Sequence, residues 1–321
     1  MNKIAVELLD VAKHLYSRLF HLTDQKPCLK INYHGQAASD FIRQMLTSSN
    51  PCMICRFGSH ELKATLNYID IICSGSCISK SIKYIKNEIG PFWWDDKIRS
   101  SMLNNAGFFP ANAEHLGMFA KMLLRDIKDI DVLGSWLAEE VRLANYFPNA
   151  TIVRMTDLEP YYHTHPWSEA LEGKRVLVIH PYEESITNQY KKHGSLFNNS
   201  KVQPKFELMT LKAVQSIAEN KTDFSNWFDA LSHMSTRIGR MGFDIAIIGA
   251  GAYGLPLASF VKRMGKKAIH LGGATQILFG IKGNRWDKLP FFRQLYNEDW
   301  VRPLPAEIPD NFQMVESGCY W

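Results

Sequence analysis

Residues 243–273, FDIAIIGAGAYGLPLASFVKRMGKKAIHLGG, constrain the fold more than any other stretch. Residues 243–248 (FDIAII) form a short apolar run rich in β-branched residues and closed by glycine, the pattern of a buried parallel strand. Gly249, Gly251 and Gly254 follow at G-x-G-x-x-G spacing. Residues 255–264 read as a helix, with Pro256 tolerated in the first turn. Residues 267–271 read as a second strand, closed by Gly272 and Gly273. A strand feeding a glycine turn and a helix N-terminus offers backbone N–H groups and a positive dipole end to a phosphate. The motif is short, and a tight βα turn without a ligand fits it as well. A nicotinamide cofactor also needs an acidic residue near the end of the second strand, to hold the ribose. That end reads Ile269-His270-Leu271, so no NAD is expected.

The same order of strand, glycine turn and helix occurs earlier. The apolar run at residues 52–57 leads into Gly58-Ser59-His60-Glu61-Leu62. Further strands are predicted at 151–155, 175–179 and 206–209, and helices at 118–128, 132–146 and 227–240. Alternation of this kind predicts an α/β, Rossmann-like, mostly parallel sheet with helices on both faces. Such sheets bind ligands beyond the carboxyl ends of their strands. The residues standing there are the candidates.

Arg56 could clamp a phosphate through two N–H groups, or pair with a structural carboxylate. Glu61 could be a general base or a metal ligand, or simply a favourable charge in a helix's first turn. His180, just past the strand at 175–179, is a candidate acid or base, or else a neutral core histidine. Gly58, Ser59, His60, Gly249, Gly251, Tyr253, Gly254, His270, Gly272, Gly273 and Gln276 complete the substrate-binding candidates at this edge. Arg285 beside Trp286 would suit a nucleotide or sugar face, although a packed tryptophan accounts for the pair too. Asp157 and Glu159 are a carboxylate pair or a turn, and His163 and His165 lack an evident third metal ligand.

Composition narrows the partners. A net charge of +5 over 321 residues suits an anionic substrate and does not reach a nucleic-acid footprint. No apolar run reaches 18 residues, so no membrane span is predicted. Glu7 and Asp10 interrupt the N-terminal apolar pattern, against a signal peptide, and the expected location is the cytoplasm. Ile4, Leu8, Val11, Leu15 and Leu19 mark an amphipathic helix within residues 1–30, expected to pack on the rest, with peripheral contact at the inner membrane face as the alternative. Cys52, Cys55, Cys73 and Cys77 imitate two halves of a zinc site, but alternation along a strand sends Cys52 and Cys55 to opposite sides. The aromatic tail from residue 286 is expected to wrap the core.

The segment from Arg56 to Leu62 resembles the Arg-x-Gly-Asp-Gly-Glu segment of the bacterial GT-D-fold glycosyltransferases. The stretches RFGSHEL, NAGFFP, HPWSEAL, GKRVLVIHPY, FDIAIIGAGAYG, HLGGATQILFGIKG, RW and GCYW extend the likeness to a GT-D-like branch associated with surface polysaccharide biosynthesis, over roughly residues 50–321. The resemblance implies a GT-D-like domain at 31–321 with lobes near 31–170 and 171–321. It implies transfer of a sugar from a nucleotide-diphospho-sugar to a bacterial surface glycan or lipid-linked glycan, with Mg or Mn at Glu61. The family's Asp-x-Glu reads Ser59-His60-Glu61 here, which removes one metal-binding carboxylate and leaves Arg56 or His60 as substitute cationic contacts. Two other functions remain open: a non-catalytic nucleotide-sugar-binding or scaffolding protein, and a dinucleotide-binding oxidoreductase.

Overall fold

The structure is a computed structural model that describes residues 3–20 and 28–321. Seven strands form one sheet: β1 (Cys52–Cys55), β2 (Val132–Ser135), β3 (Thr151–Arg154), β4 (Arg175–His180), β5 (Glu207–Lys212), β6 (Ile245–Ile248) and β7 (Lys267–His270). Their order is β3-β2-β1-β7-β6-β4-β5, and every pairing is parallel. This is the expected α/β, Rossmann-like fold. Residues 31–170 supply β1 to β3 and residues 171–321 supply β4 to β7. The two sets meet where Met53 pairs with Ala268.

The helices are α1 (Lys3–Leu19), α2 (Gln36–Thr47), α3 (Ser59–Ile72), α4 (Cys77–Ile85), α5 (Asp96–Asn104), α6 (Ala113–Asp126), α7 (Glu183–Tyr190), α8 (Trp227–Gly239), α9 (Gly254–Arg263), α10 (Ala274–Leu278), α11 (Asn284–Asp287) and α12 (Pro290–Leu295). Polar caps begin several of them. Asn112 accepts from the His115 N–H at 2.9 Å, and Asn226 from the Phe228 N–H at 2.9 Å. Each such cap is worth about 1 kcal/mol.

The core has two parts, one on each face of the sheet. Met53 and Cys55 pack with Leu62 of α3, Phe119 of α6, Ile238 of α8 and Leu257 of α9. Cys52 and Ile54 pack with Ile42 of α2, Ile186 of α7, Ile277 of α10 and Trp321 of the tail. Cys52 and Cys55 therefore lie on opposite faces, as strand alternation requires. Fully burying a side chain such as Phe119 contributes about 1.5–3 kcal/mol.

Two expectations are corrected. Residues 132–146, read as one helix, are strand β2 followed by a 3-10 segment, Ala138–Tyr146. The apolar run is too short for its period to separate strand from helix, and parallel neighbours on both sides decide it. Gly134 is needed there, because a Cβ would lie 2.5 Å from Leu158 Cδ1. The apolar stripe of α1 faces outward instead of packing: Ile4, Leu8, Val11, Leu15 and Leu19 are between 55% and 76% exposed. The opposite side docks on α4, where Tyr84 donates to Asp10 at 2.6 Å and Lys13 lies 4.1 Å from the Tyr84 ring centre. Residues 1–2 and 21–27 of the segment expected at 1–30 lie outside the described residues. Among the described residues no helix is long and apolar enough to cross a membrane.

Candidate functional site

The carboxyl ends of β1, β4, β6 and β7 open into one cleft. Fourteen of the candidates named from sequence line it, from Arg56 and Glu61 on one wall to Gly249, His270 and Gly272 on the other, with Arg285 at the edge. Gly254 is the exception among the strand-end candidates. It is buried behind His270 at the start of α9.

On the first wall, Arg56 follows β1 directly. Its Nε donates to the Phe57 carbonyl at 3.2 Å, and its guanidinium lies 4.7 Å from the Trp136 ring centre. Trp136 is itself fixed by donation from Nε1 to the Phe57 carbonyl at 2.9 Å. Burial lowers the Arg56 pKa against the charges of Glu61 and Glu159, and among the described residues no carboxylate lies at ion-pair distance from it. An arginine still stays charged at neutral pH, so this is a desolvated cation facing a cleft. Glu61 stands in the first turn of α3 and bends back over Gly58, where a Cβ would sit 1.9 Å from its Oε2. Among the described residues its carboxylate has no hydrogen-bond or ion-pair partner.

The second wall is closed by the protein itself. A Cβ on Gly249 would lie 2.7 Å from each of the Gly272 oxygen, His180 Cδ2 and Thr275 Oγ1. Gly251 has φ +50 and lies against the Ala106 carbonyl, which also accepts from the Ala252 N–H at 3.2 Å. Tyr253 stacks on Trp227 at 4.7 Å, and its hydroxyl meets Ser216 at 3.1 Å. Burial holds His180 at about 3, so its imidazole is neutral at physiological pH. His180 Nδ1 accepts from the Tyr182 N–H at 3.0 Å, which places its proton on Nε2. Burial first, and then the Arg56 charge, lower His270 to about 4. Its Nδ1 meets the Ile248 carbonyl at 3.2 Å. Both histidines are suited to donate or accept a hydrogen bond, not to carry charge.

The C-terminal tail forms the rim. Arg285 pairs with Glu316 and stacks 4.7 Å from the Tyr320 ring centre. His60 Nε2 meets the other Glu316 oxygen at 3.4 Å. Gln276 Nε2 donates to the Tyr320 carbonyl at 3.0 Å, and a Cβ on Gly273 would lie 2.5 Å from the Tyr320 ring. Gln276 and Gly273 thus seat the tail. The tail does more than wrap the core, because Glu316, Tyr320 and Trp321 line the cleft.

The other candidates do not line the cleft, although the Glu159 charge still reaches Arg56. Asp157 accepts from the Gly35 N–H at 2.9 Å and from the Arg154 N–H at 3.2 Å, a turn-forming role. Glu159 receives the Tyr161 hydroxyl, and burial raises its carboxyl to about 7. His163 bonds the Asp157 carbonyl at 3.0 Å, while His165 lies near Glu169 and Lys201. Sequence reading missed Trp136, Ser216 and the chemical part of the tail. Trp136 was hidden by the misread strand. Glu316 carried no local signal beyond its place beside the GCYW segment.

Known protein families yield no match to this sequence, and neither do curated proteins. Among solved structures the chain is similar to a selenomethionine-substituted structure of domain of unknown function 1792, with TM-score 0.38 and 10% identity, over 93% of this chain and 95% of that one. A likeness at that score carries no argument, and the α/β, Rossmann-like description rests on the sheet itself.

Proposed function

We propose that the cleft binds a nucleotide-diphospho-sugar and that the protein transfers its sugar to a bacterial surface glycan, free or lipid-linked. The observation that carries this reading is Arg56, a desolvated guanidinium with no carboxylate at ion-pair distance among the described residues, near a Glu61 whose carboxylate makes no hydrogen bond among them. Glu61 and Glu159 act on Arg56 only through longer-range charge, and a buried cation without a direct ion pair calls for an external anion. The α3 N-terminus adds its dipole, and the Trp136 and Tyr320 rings give flat faces for a sugar or base.

In this reading Arg56 and the α3 N-terminus hold the diphosphate and stabilise its charge as the bond to the anomeric carbon breaks. Glu61 accepts the proton of the acceptor hydroxyl as that oxygen bonds to the anomeric carbon. His180 and His270, being neutral, orient the donor by hydrogen bonds. The divalent cation implied by the GT-D resemblance needs oxygen ligands. The cleft offers the Glu61 carboxylate and the Ser59 hydroxyl, while Glu316 is held by Arg285 and His60. Among the described residues no group of three acidic, His or Cys side chains could hold a metal. The donor set does not fit a metal centre.

The test is a panel of UDP-, GDP- and CMP-sugars offered to the purified protein, with binding and donor turnover measured separately. Expected are binding of a UDP- or GDP-sugar and not of a CMP-sugar, which carries one phosphate, loss of about 100-fold in affinity in Arg56→Ala, and loss of about 100-fold in turnover with affinity kept in Glu61→Gln. Absence of binding to the whole panel would sink the reading. Binding without turnover would make the protein a non-catalytic nucleotide-sugar carrier.

A further inference from the structure

We propose that the C-terminal turn is a built-in competitor of the ligand, in which Glu316 holds the anion position between Arg285 and His60 and a diphosphate enters by displacing it. The proposal rests on the reading of the cleft as a diphosphate site, and it assigns that site a second guanidinium and a gate.

Three observations carry it. The first is charge. Two guanidiniums share the cleft, and Arg285 is close enough to Arg56 to help lower its pKa. Arg285 has a direct carboxylate partner, and Arg56 has only the longer-range charges of Glu61 and Glu159 among the described residues. A ligand with two adjoining phosphates supplies both counter-charges at once. Glu316 is well ionised in place: hydrogen bonding from His60, with help from Arg285, holds its carboxyl at about 2.

The second is backbone strain. Glu316 has φ 45 and Ser317 has φ 58, followed by Gly318 at φ 73. Left-handed backbone suits the glycine but is costly for the two residues before it, and it persists only where other contacts compensate. The contacts of the Glu316 side chain are with His60, Arg285 and Cys319. Its side chain is 41% exposed, so the core does not hold it.

The third is anchoring. The tail on either side of this tip is fixed. Val315 donates to the Phe312 carbonyl at 3.1 Å, and Cys319 accepts from the Arg285 N–H at 2.9 Å. Gly318 accepts from Asn284 Nδ2 at 3.1 Å, and Trp321 from the Asn284 N–H at 3.2 Å. Buried Val315, Cys319 and Trp321 hold the flanks while residues 316–317 form the tip. Displacing Glu316 therefore moves a two-residue tip and leaves the fold intact.

The experiment is calorimetric titration of the full chain with inorganic pyrophosphate in EDTA, at low and at physiological salt. The expected result is that Glu316→Gln binds pyrophosphate about tenfold tighter than the unmodified protein, about 1.4 kcal/mol. In an Arg285→Ala background the same change should alter affinity less than twofold. Glu316→Ala serves as a second variant, with unfolding curves of each protein to establish that it folds. Equal or weaker pyrophosphate binding by both Glu316 variants overturns the proposal, as does absence of pyrophosphate binding in all the proteins. Tightening without donor turnover would keep the gate and remove the transferase. Turnover with unchanged pyrophosphate affinity would do the reverse.

Discussion

The chain builds strand, glycine turn and helix twice at the cleft, and the two turns end differently. After β1, the space a Cβ would need at Gly58 is taken by the end of the Glu61 side chain. After β6, the spaces at Gly249, Gly251 and Gly254 are taken by His180, His270, Thr275 and backbone carbonyls. A flexible carboxylate can move aside for a ligand, whereas a buried imidazole and a carbonyl cannot. The glycines of the familiar fingerprint are thus explained by the protein's own packing. The turn with the weaker motif keeps the free charges, Arg56 and Glu61. A glycine motif reports that something comes close to the backbone, and only its neighbours say what.

The sharpest way to break this contrast is Gly254→Ala. Its Cβ would lie 2.0 Å from His270 Cε1, which must shift within a full core. The expected cost is about 3 kcal/mol, as for overpacking, read as a lower urea midpoint. A loss below about 1 kcal/mol would show that His270 is not a fixed wall.

The next effect is on pH. His180 and His270 fold with values depressed to about 3 and about 4, below the unfolded value near 6.5. Their contribution is complete above pH 6.5 and is lost as pH falls through the folded values, because the unfolded chain binds their protons first. Glu159, raised to about 7, acts in the opposite direction, its contribution being lost as pH rises toward 7. The comparison is therefore between the parent and His270→Gln. The variant's stability, from urea unfolding at pH 6.5 and 4.5, should fall by about 2 kcal/mol less than the parent's. Parallel curves would place His270 in contact with water.

The smallest expected effect on stability is that of Gly58→Ala. The new methyl group meets the mobile end of Glu61, so the expected cost is under about 1 kcal/mol, while donor turnover falls because the carboxylate is pushed aside. An unfolding loss as large as that of Gly254→Ala would erase the difference between the two turns.

Much of this was legible in the chain. The period of the apolar runs located six of the seven strands, and alternation with helices gave the parallel sheet and the edge at which the cleft opens. Glycine spacing pointed to both turns. What failed was the run at residues 132–146, because a four-residue buried strand and a helix start look alike without neighbours. The stripe on α1 failed for a related reason. Periodicity shows that a helix has an apolar face but not which face meets the protein, and α1 docks on α4 through Asp10 and Lys13.

The sequence by itself determined the fold class and the residues at the strand ends, because both follow from side-chain period and backbone freedom, which are local. Only the tertiary structure decided which charges are free. Arg56 and Arg285 are alike in the chain, and it takes contacts over long separations to give Arg285 a partner in Glu316 and leave Arg56 without one among the described residues. The same long-range packing makes His180 and His270 neutral and places Glu316 at the cleft. Burial and pairing depend on what the rest of the chain brings near, and a local pattern does not contain that.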